Sequence, residues 1–202
     1  MCRLIGSKLV IATHNAGKLG ELCDLLEPFQ VSCIGAKELG LPVPEETEQS
    51  FEGNAFIKAR SAAALSGLPA LSDDSGLEID ALNGAPGVNS ADWAESATGR
   101  DFGMAMERVS RELSLSGRPK PWLARFRCVL AVAWPDGQGV AFHGSCEGRV
   151  VWPMRGEHGH GYDPIFVPDG FDVTFGEMNA ALKNRLSHRA VAFDRFLEAC
   201  FT

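Results

Sequence analysis

The feature that most constrains the fold is a change of hydrophobic rhythm along the chain. Through its first half, short apolar runs alternate with helix-spaced patterns. Lys8–Ala12 reads as a short buried strand, followed by the polar turn Thr13-His14-Asn15-Ala16. Gly17–Glu27 carries Leu19, Leu22, Leu25 and Leu26 at helical spacing and stops at Pro28. Gln30–Ile34 is a second strand, and Pro42–Gln49 an acidic, proline-bearing loop. Ser50–Ser66 is an alanine-rich helix closed by Gly67. Pro69–Ser72 and Leu77–Leu82 read as short extended segments separated by a turn at Asp73-Asp74-Ser75-Gly76, since that sequence is good turn chemistry. Asp101–Leu115 is a helix ended by Gly117. The rhythm then changes: Trp122–Trp134 and Gly139–Gly144 form a hairpin through Pro135-Asp136-Gly137. A glycine-histidine loop, Gly156–Gly161, precedes two last helices, Asn179–Asn184 and Ser187–Phe201. Alternating strands and helices followed by a hairpin predict an α/β protein whose sheet is mixed rather than purely parallel. With no repeats, low-complexity tract or obvious linker, residues 1–202 are expected to be a single domain.

Composition narrows the function classes. At 45% hydrophobic and 22% charged residues, the chain matches ordinary soluble globular proteins. It has no uncharged apolar run of about 18 residues, so no transmembrane helix is expected, and its first residues lack the pattern of a signal peptide. Cys2, Cys23, Cys33, Cys128, Cys146 and Cys200 are scattered without a C-x-x-C pair. This argues against a disulfide framework or a zinc site and fits a reducing cytoplasm. A net charge of -7 disfavours sequence-independent nucleic-acid binding. A polyanionic ligand therefore requires a few placed cations and a metal.

Four constellations carry chemistry. Thr13-x-Asn15-x-x-Lys18 lies at a strand-to-helix turn, where free N–H groups and the positive dipole end suit phosphate. It is not a Walker A loop, and Thr13 and Asn15 equally suit simple capping. Asn54 and Lys58 share one helix face, which an amphipathic helix alone also explains. Glu45, Glu46, Asp73 and Asp74 supply hard oxygen ligands of the kind Mg2+ takes, or merely turn residues. Gly159-His160-Gly161-Tyr162-Asp163-Pro164 precedes Lys183 and Ser187-His188-Arg189, with Ser187 as N-cap. His188 and Arg189 then fall on a first helical turn, where cations are mildly unfavourable unless a ligand answers them. Taken together, these groups fit nucleoside triphosphate hydrolysis better than any single bland reading.

The ordered motifs resemble the inosine triphosphate pyrophosphatase family, enzymes acting on non-standard purine nucleoside triphosphates. They run from Leu9 to about Phe196: Ala12-Thr13-x-Asn15-x-x-Lys18, Glu45-Glu46-Thr47, Asn54-Ala55-x-x-Lys58-Ala59, Asp73-Asp74-Ser75-Gly76-Leu77, Gly84-Ala85-Pro86-Gly87-Val88, Ala124-Arg125-Phe126, Gly161-Tyr162-Asp163-Pro164-Ile165-Phe166 and Ser187-His188-Arg189. The resemblance implies an elongated mixed sheet flanked by helices, in two lobes with a central cleft, and a homodimer. It implies that Thr13, His14, Asn15, Ala16, Gly17 and Lys18, with Asn54 and Lys58, hold the triphosphate. It further implies that Glu46, Asp73 and Asp74 organise Mg2+, with Asp74 as general base. Ser75, His160, Gly161, Tyr162, Asp163, Lys183, His188 and Arg189 resemble nucleoside-binding positions. The substrate so implied is ITP, dITP or XTP, cleaved by water at the α-phosphorus to monophosphate and pyrophosphate.

Three positions depart from the family pattern. His160 stands where many members stack an aromatic on the base, Asn89 where a tyrosine is usual, and Asp92 where an arginine is common. Two rival readings are a Maf-type nucleotide pyrophosphatase of other specificity and a nucleotide-binding sensor without turnover. The Gly-Tyr-Asp-Pro and Ser-His-Arg motifs argue against the first, and the intact Glu46, Asp73 and Asp74 against the second.

Overall fold

The computed structural model describes residues 4, 7–14 and 16–201. In chain order the regular elements are β1 (Lys8–Ile11), α1 (Ala16–Leu26), β2 (Ser32–Gly35), α2 (Phe51–Ser66), β3 (Ala70–Ile79), β4 (Glu95–Ser96), β5 (Gly99–Arg100), α3 (Phe102–Leu115), β6 (Trp122–Ala133), β7 (Gly139–Val150), β8 (Phe166–Pro168), α4 (Ala180–Leu186) and α5 (His188–Phe201). Six strands form one sheet in the order β2-β1-β3-β6-β7-β8, and β4 and β5 form a separate two-stranded ribbon. The sheet is mixed, as expected. β1 runs parallel to both β2 and β3, whereas β7 and β8 are antiparallel.

Local chemistry sets the helix limits. Ser50 caps α2 by accepting the Gly53 N–H at 3.0 Å, and Gly67 ends it at a left-handed φ of 67° that its missing Cβ permits. Ala55, Ala59, Ala62 and Ala63 give α2 a buried face of small side chains, and the Ser72 hydroxyl donates to the Ala55 carbonyl at 2.6 Å. Asp101 and Asn179 cap α3 and α4 in the same manner. The Ser187 hydroxyl accepts the Ala190 N–H at 3.2 Å at the start of α5, bearing out its reading as an N-cap. Pro28 sits in a 3-10 turn that closes α1.

The chain forms two compact units. The first comprises Met1–Asp74, Val129–His143 and Ala192–Thr202, and the second Ser75–Cys128 and Gly144–Val191. In the first, Leu9, Val10, Ile11, Leu71 and the alanine face of α2 are buried, with the Phe142 and Phe196 rings 5.5 Å apart. In the second, a core of Leu77, Ile79, Val109, Leu113, Phe126, Tyr162, Phe166 and Phe175 collects residues from β3, α3, β6 and the segment leading to α4.

The expected turn at Asp73–Gly76 does not exist; β3 runs unbroken through it. Turn propensity at four residues is weak beside the ladders that hold β3, to β1 at Ala70 and Leu71 and to β6 on its other edge. Asp80–Leu82, expected to be extended, is a 3-10 turn. β7 continues six residues beyond Gly144, because its polar end pairs with the unanticipated β8. Cys23, Cys33 and Cys146 are free thiols, but Cys200 is disulfide-bonded, contrary to the expectation from the scattered cysteines.

The β7–β8 pairing is close at Gly148, where a Cβ would lie 2.3 Å from the Val167 carbonyl oxygen and 2.7 Å from the Phe166 ring. Gly148→Ala is therefore expected to destabilise the fold by about 1–3 kcal/mol through forced strand displacement. A thermal midpoint equal to that of the parent protein would show that β8 yields freely.

Candidate active site

The first unit gathers acids and lysines around β3. Asp73 and Asp74 are consecutive strand residues, so their side chains leave opposite faces. Each meets its own lysine. Lys18, on the first turn of α1, donates to Asp73 Oδ2 at 2.7 Å, and this carboxylate is almost fully buried. Lys58, from the middle of α2, donates to Asp74 Oδ1 at 2.9 Å and to Glu46 Oε2 at 3.3 Å. Glu46 reaches in from the loop before α2. That loop is anchored by Asn54, one turn before Lys58, whose Oδ1 accepts the Glu48 N–H at 2.9 Å.

Three carboxylates thus face two ammonium groups, and the local excess of negative charge holds protons in place. Asp74 is pushed up to about 6, first by burial and then by Glu46 and Asp73, against the opposing pull of Lys58. Lys58 is also raised: burial lowers it, but the charges of Asp74, Glu46 and Asp73 together outweigh that penalty. The surplus carboxylate is what raises Lys58, and for Asp74 it adds to the larger effect of burial.

This set suits a hard divalent cation. Among the described residues Asp74 Oδ2 is buried with no hydrogen-bond partner. Magnesium needs only one or two protein carboxylates, with phosphate and water completing its shell. However, no three His, Cys, Asp or Glu side chains among the described residues form a ready cation-binding group. The expected trio Glu46, Asp73 and Asp74 is divided between two faces of β3, with lysines against its oxygens.

The remaining triphosphate candidates are placed less tightly. Thr13 is half-buried just past β1, and His14 is exposed with Nε2 3.0 Å from the Leu41 carbonyl oxygen. Ala16 and Gly17 begin α1, and Asn15 lies outside the described residues. Asn54 is only 3% exposed and directed at its own loop.

In the second unit, the loop before β8 folds back on Asp163. This buried carboxylate accepts the His160 N–H at 2.6 Å and pairs with Lys183. Gly159 is required there: its φ is +82°, and a Cβ would sit 2.0 Å from Asp163 Oδ2. The His160 side chain is exposed, and Gly161 has a φ of +67°. Tyr162 is a core strut, its hydroxyl donating to the Ser90 carbonyl at 2.8 Å and its ionisation pushed up by burial. His188 and Arg189 are half-buried on the first turn of α5, and Ser75 is half-buried on β3 directly after Asp74.

Sequence reasoning assigned no role to three groups of residues. The Phe126 ring stacks on His188 with centroids 4.9 Å apart, and Phe175 lies below Lys183. Glu48 anchors the acidic loop through its backbone. Arg125 binds Glu78, Asp80 and Glu147 in an ion network on the sheet. Arg125 and Phe126 fall inside a motif, which marks them as special without revealing what they touch.

The first unit thus holds two lysines against acids, and the second holds His188 and Lys183 against aromatic rings. The chain belongs to the Ham1 family, whose sequence pattern matches residues 9–199. It is 58% identical over 196 residues to the dITP/XTP pyrophosphatase of Ruegeria pomeroyi, covering 97% of this chain and 96% of that one. It is 54% identical to the dITP/XTP pyrophosphatase of Agrobacterium fabrum, covering 99% of each. Its structure is similar to a HAM1 protein from Coxiella burnetii, with a TM-score of 0.90 and 36% identity over 96% of this chain and 98% of that one.

The Asp74–Lys58 pair yields a signed expectation. Lys58 lowers the Asp74 pKa by charge and hydrogen bond, so Lys58→Met should move the Asp74 titration upward from about 6. Carboxyl carbon NMR across a pH series, without added metal, reads this directly. A midpoint that stays or falls would mean that Lys58 does not face Asp74 in solution.

Proposed function

We propose that this chain hydrolyses non-standard purine nucleoside triphosphates, ITP, dITP and XTP, to the monophosphate and pyrophosphate with Mg2+. The observation that carries the reading is Asp74: a half-buried carboxylate with raised pKa, one oxygen on Lys58 and the other buried without a hydrogen-bond partner among the described residues, in a chain of this family. Lys18 and Lys58 exchange part of their pairing with Asp73, Asp74 and Glu46 for the oxygens of the triphosphate. Thr13 and the N–H groups at the start of α1 add hydrogen bonds to the same phosphates. Glu46 and Asp74, which meet at Lys58, would hold Mg2+ with phosphate and water completing its shell, and when bound it supplies charge neutralisation and lowers the pKa of coordinated water. Asp74, ionised above about pH 6, takes the proton of the attacking water as general base. Little covalent work falls to the protein, so positioning and charge supply most of the acceleration.

Selectivity resides with the second unit. Hypoxanthine and xanthine present an acceptor oxygen at purine position 6, where adenine presents a donor. Arg189 offers only donors, as does the ammonium of Lys183. A 6-oxo purine completes their hydrogen bonds, and adenine sets donor against donor. His188 and the His160–Asp163 loop complete the base site. A homodimer and a cytoplasmic location belong to the same reading, on the strength of the family resemblance. No helix of the described residues is long and apolar enough to cross a membrane.

Incubation with ITP, XTP and ATP, with and without Mg2+, tests the reaction. Pyrophosphate and the monophosphate should appear from ITP and XTP only with the metal. Asp74→Asn should lower kcat by roughly 100-fold or more while leaving KM within a few-fold. Release of single phosphate with the diphosphate, or parental turnover by Asp74→Asn, would overturn this assignment.

A further inference from the structure

Two of the side chains assigned above to the nucleoside, His188 and Lys183, rest on neighbouring aromatic rings. The Phe126 and Phe175 rings are nearly parallel, 17° apart in plane with centroids 6.0 Å apart. The His188 imidazole lies flat on Phe126 at 13° and 4.9 Å. The Lys183 ammonium lies 5.8 Å from the centre of Phe175 while pairing with Asp163. Phe166 packs edge-on against Phe126 at 4.7 Å and tilted against Phe175 at 5.2 Å, bracing both rings from the core. Phe175 is fully buried and Phe126 nearly so, so neither is free to meet a ligand broadly. Their flat faces are spent on protein side chains.

We propose that Phe126, backed by Phe175, is a specificity-determining positioning residue that holds His188 and Lys183 at the orientation in which they read the purine. The proposal rests on the assignment of His188 and Lys183 to the nucleoside. The physical reason is loss of freedom. An imidazole at a helix start has two side-chain torsions, and stacking on a braced ring fixes the plane in which its nitrogens can donate or accept. A lysine has four torsions. Its pairing with Asp163 and its place over the Phe175 face restrict where the remaining ammonium protons point. Discrimination between an acceptor and a donor at purine position 6 depends on such fixed directions, because a mobile cation can swing away from adenine's amino group to one of its ring-nitrogen acceptors. The ring contacts of Phe126 and Phe175 are with His188, Lys183 and Phe166, so the effect should fall on base recognition rather than on the chemical step.

The test uses the whole chain with ITP and ATP. Phe126→Met keeps apolar volume and removes the flat face. It should raise KM for ITP roughly tenfold with kcat within a few-fold, and lower the ratio of kcat/KM for ITP over ATP by a similar factor. His188→Ala should lower the same ratio, and adding Phe126→Met to it should lower the ratio little further. If His188→Ala lowers the ratio but Phe126→Met leaves it unchanged, the platform is overturned while the nucleoside assignment stands. If His188→Ala leaves the ratio unchanged, the assignment beneath the proposal fails, and the proposal with it. An equal loss on both substrates from Phe126→Met marks a merely structural role and also overturns it. Should the methionine variant not fold, Phe126→Leu gives the same comparison. The parent protein offers a further reading: the His188 ring-proton resonances should be displaced upfield by the Phe126 ring current, and ordinary shifts would refute the stack.

Discussion

Two adjacent acids on a buried strand can be tolerated only if cations reach both faces of that strand. β3 meets this constraint with Lys18 on Asp73 and Lys58 on Asp74. Removing one partner of a buried pair typically costs about 3–5 kcal/mol, since the other charge is left unanswered. Much of the first unit can be understood as the means of delivering these two lysines. The β1–α1 turn brings Lys18 to the first turn of a helix, and the alanine face lets α2 pack closely enough for Lys58 to arrive. Asn54 on the same helix pins the loop that brings Glu46. The charges do not cancel, because three carboxylates face two ammonium groups. Burial first, and this surplus with it, keeps Asp74 protonated to unusually high pH, and on the proposed reading a polyanion–metal complex is the partner of the site.

The second unit solves a different problem. Its cations must be directional rather than numerous, and they are braced by aromatic rings and by a buried carboxylate. Asp163 ties the His160 backbone to Lys183 across a loop that only glycine at position 159 can form. Tyr162 anchors that loop in the core through Ser90. On the proposed reading, phosphate handling and base reading rest on different physics: charge surplus for the one, restricted orientation for the other.

Much of this was legible in the chain. Period and caps located the helices to within a residue or two, because Ser50, Gly67, Asp101 and Ser187 act locally. The mixed sheet followed from alternation in the first half and the hairpin in the second. The acids and lysines were legible as motif residues, but their pairing was not, since nothing in spacing tells which lysine reaches which aspartate. Turn chemistry at Asp73–Gly76 does not prevail, because the pairing of β3 with β6 and the two lysines override a local preference. Two- and three-residue strands such as β4, β5 and β8 carry no periodic signal. Asn54 was read as a ligand because it shares a helix face with Lys58, yet its side chain serves the loop. The stack of His188 on Phe126 joins residues 62 positions apart, which no local pattern encodes.

The central claim is that Asp74 and its neighbours direct water to the α-phosphorus. Hydrolysis of ITP in oxygen-18 water, followed by mass spectrometry of both products, tests it most directly. The account predicts one heavy oxygen in inosine monophosphate and none in pyrophosphate at early times. Label in the pyrophosphate, with an unlabelled monophosphate, would place the attack at the β-phosphorus and contradict it.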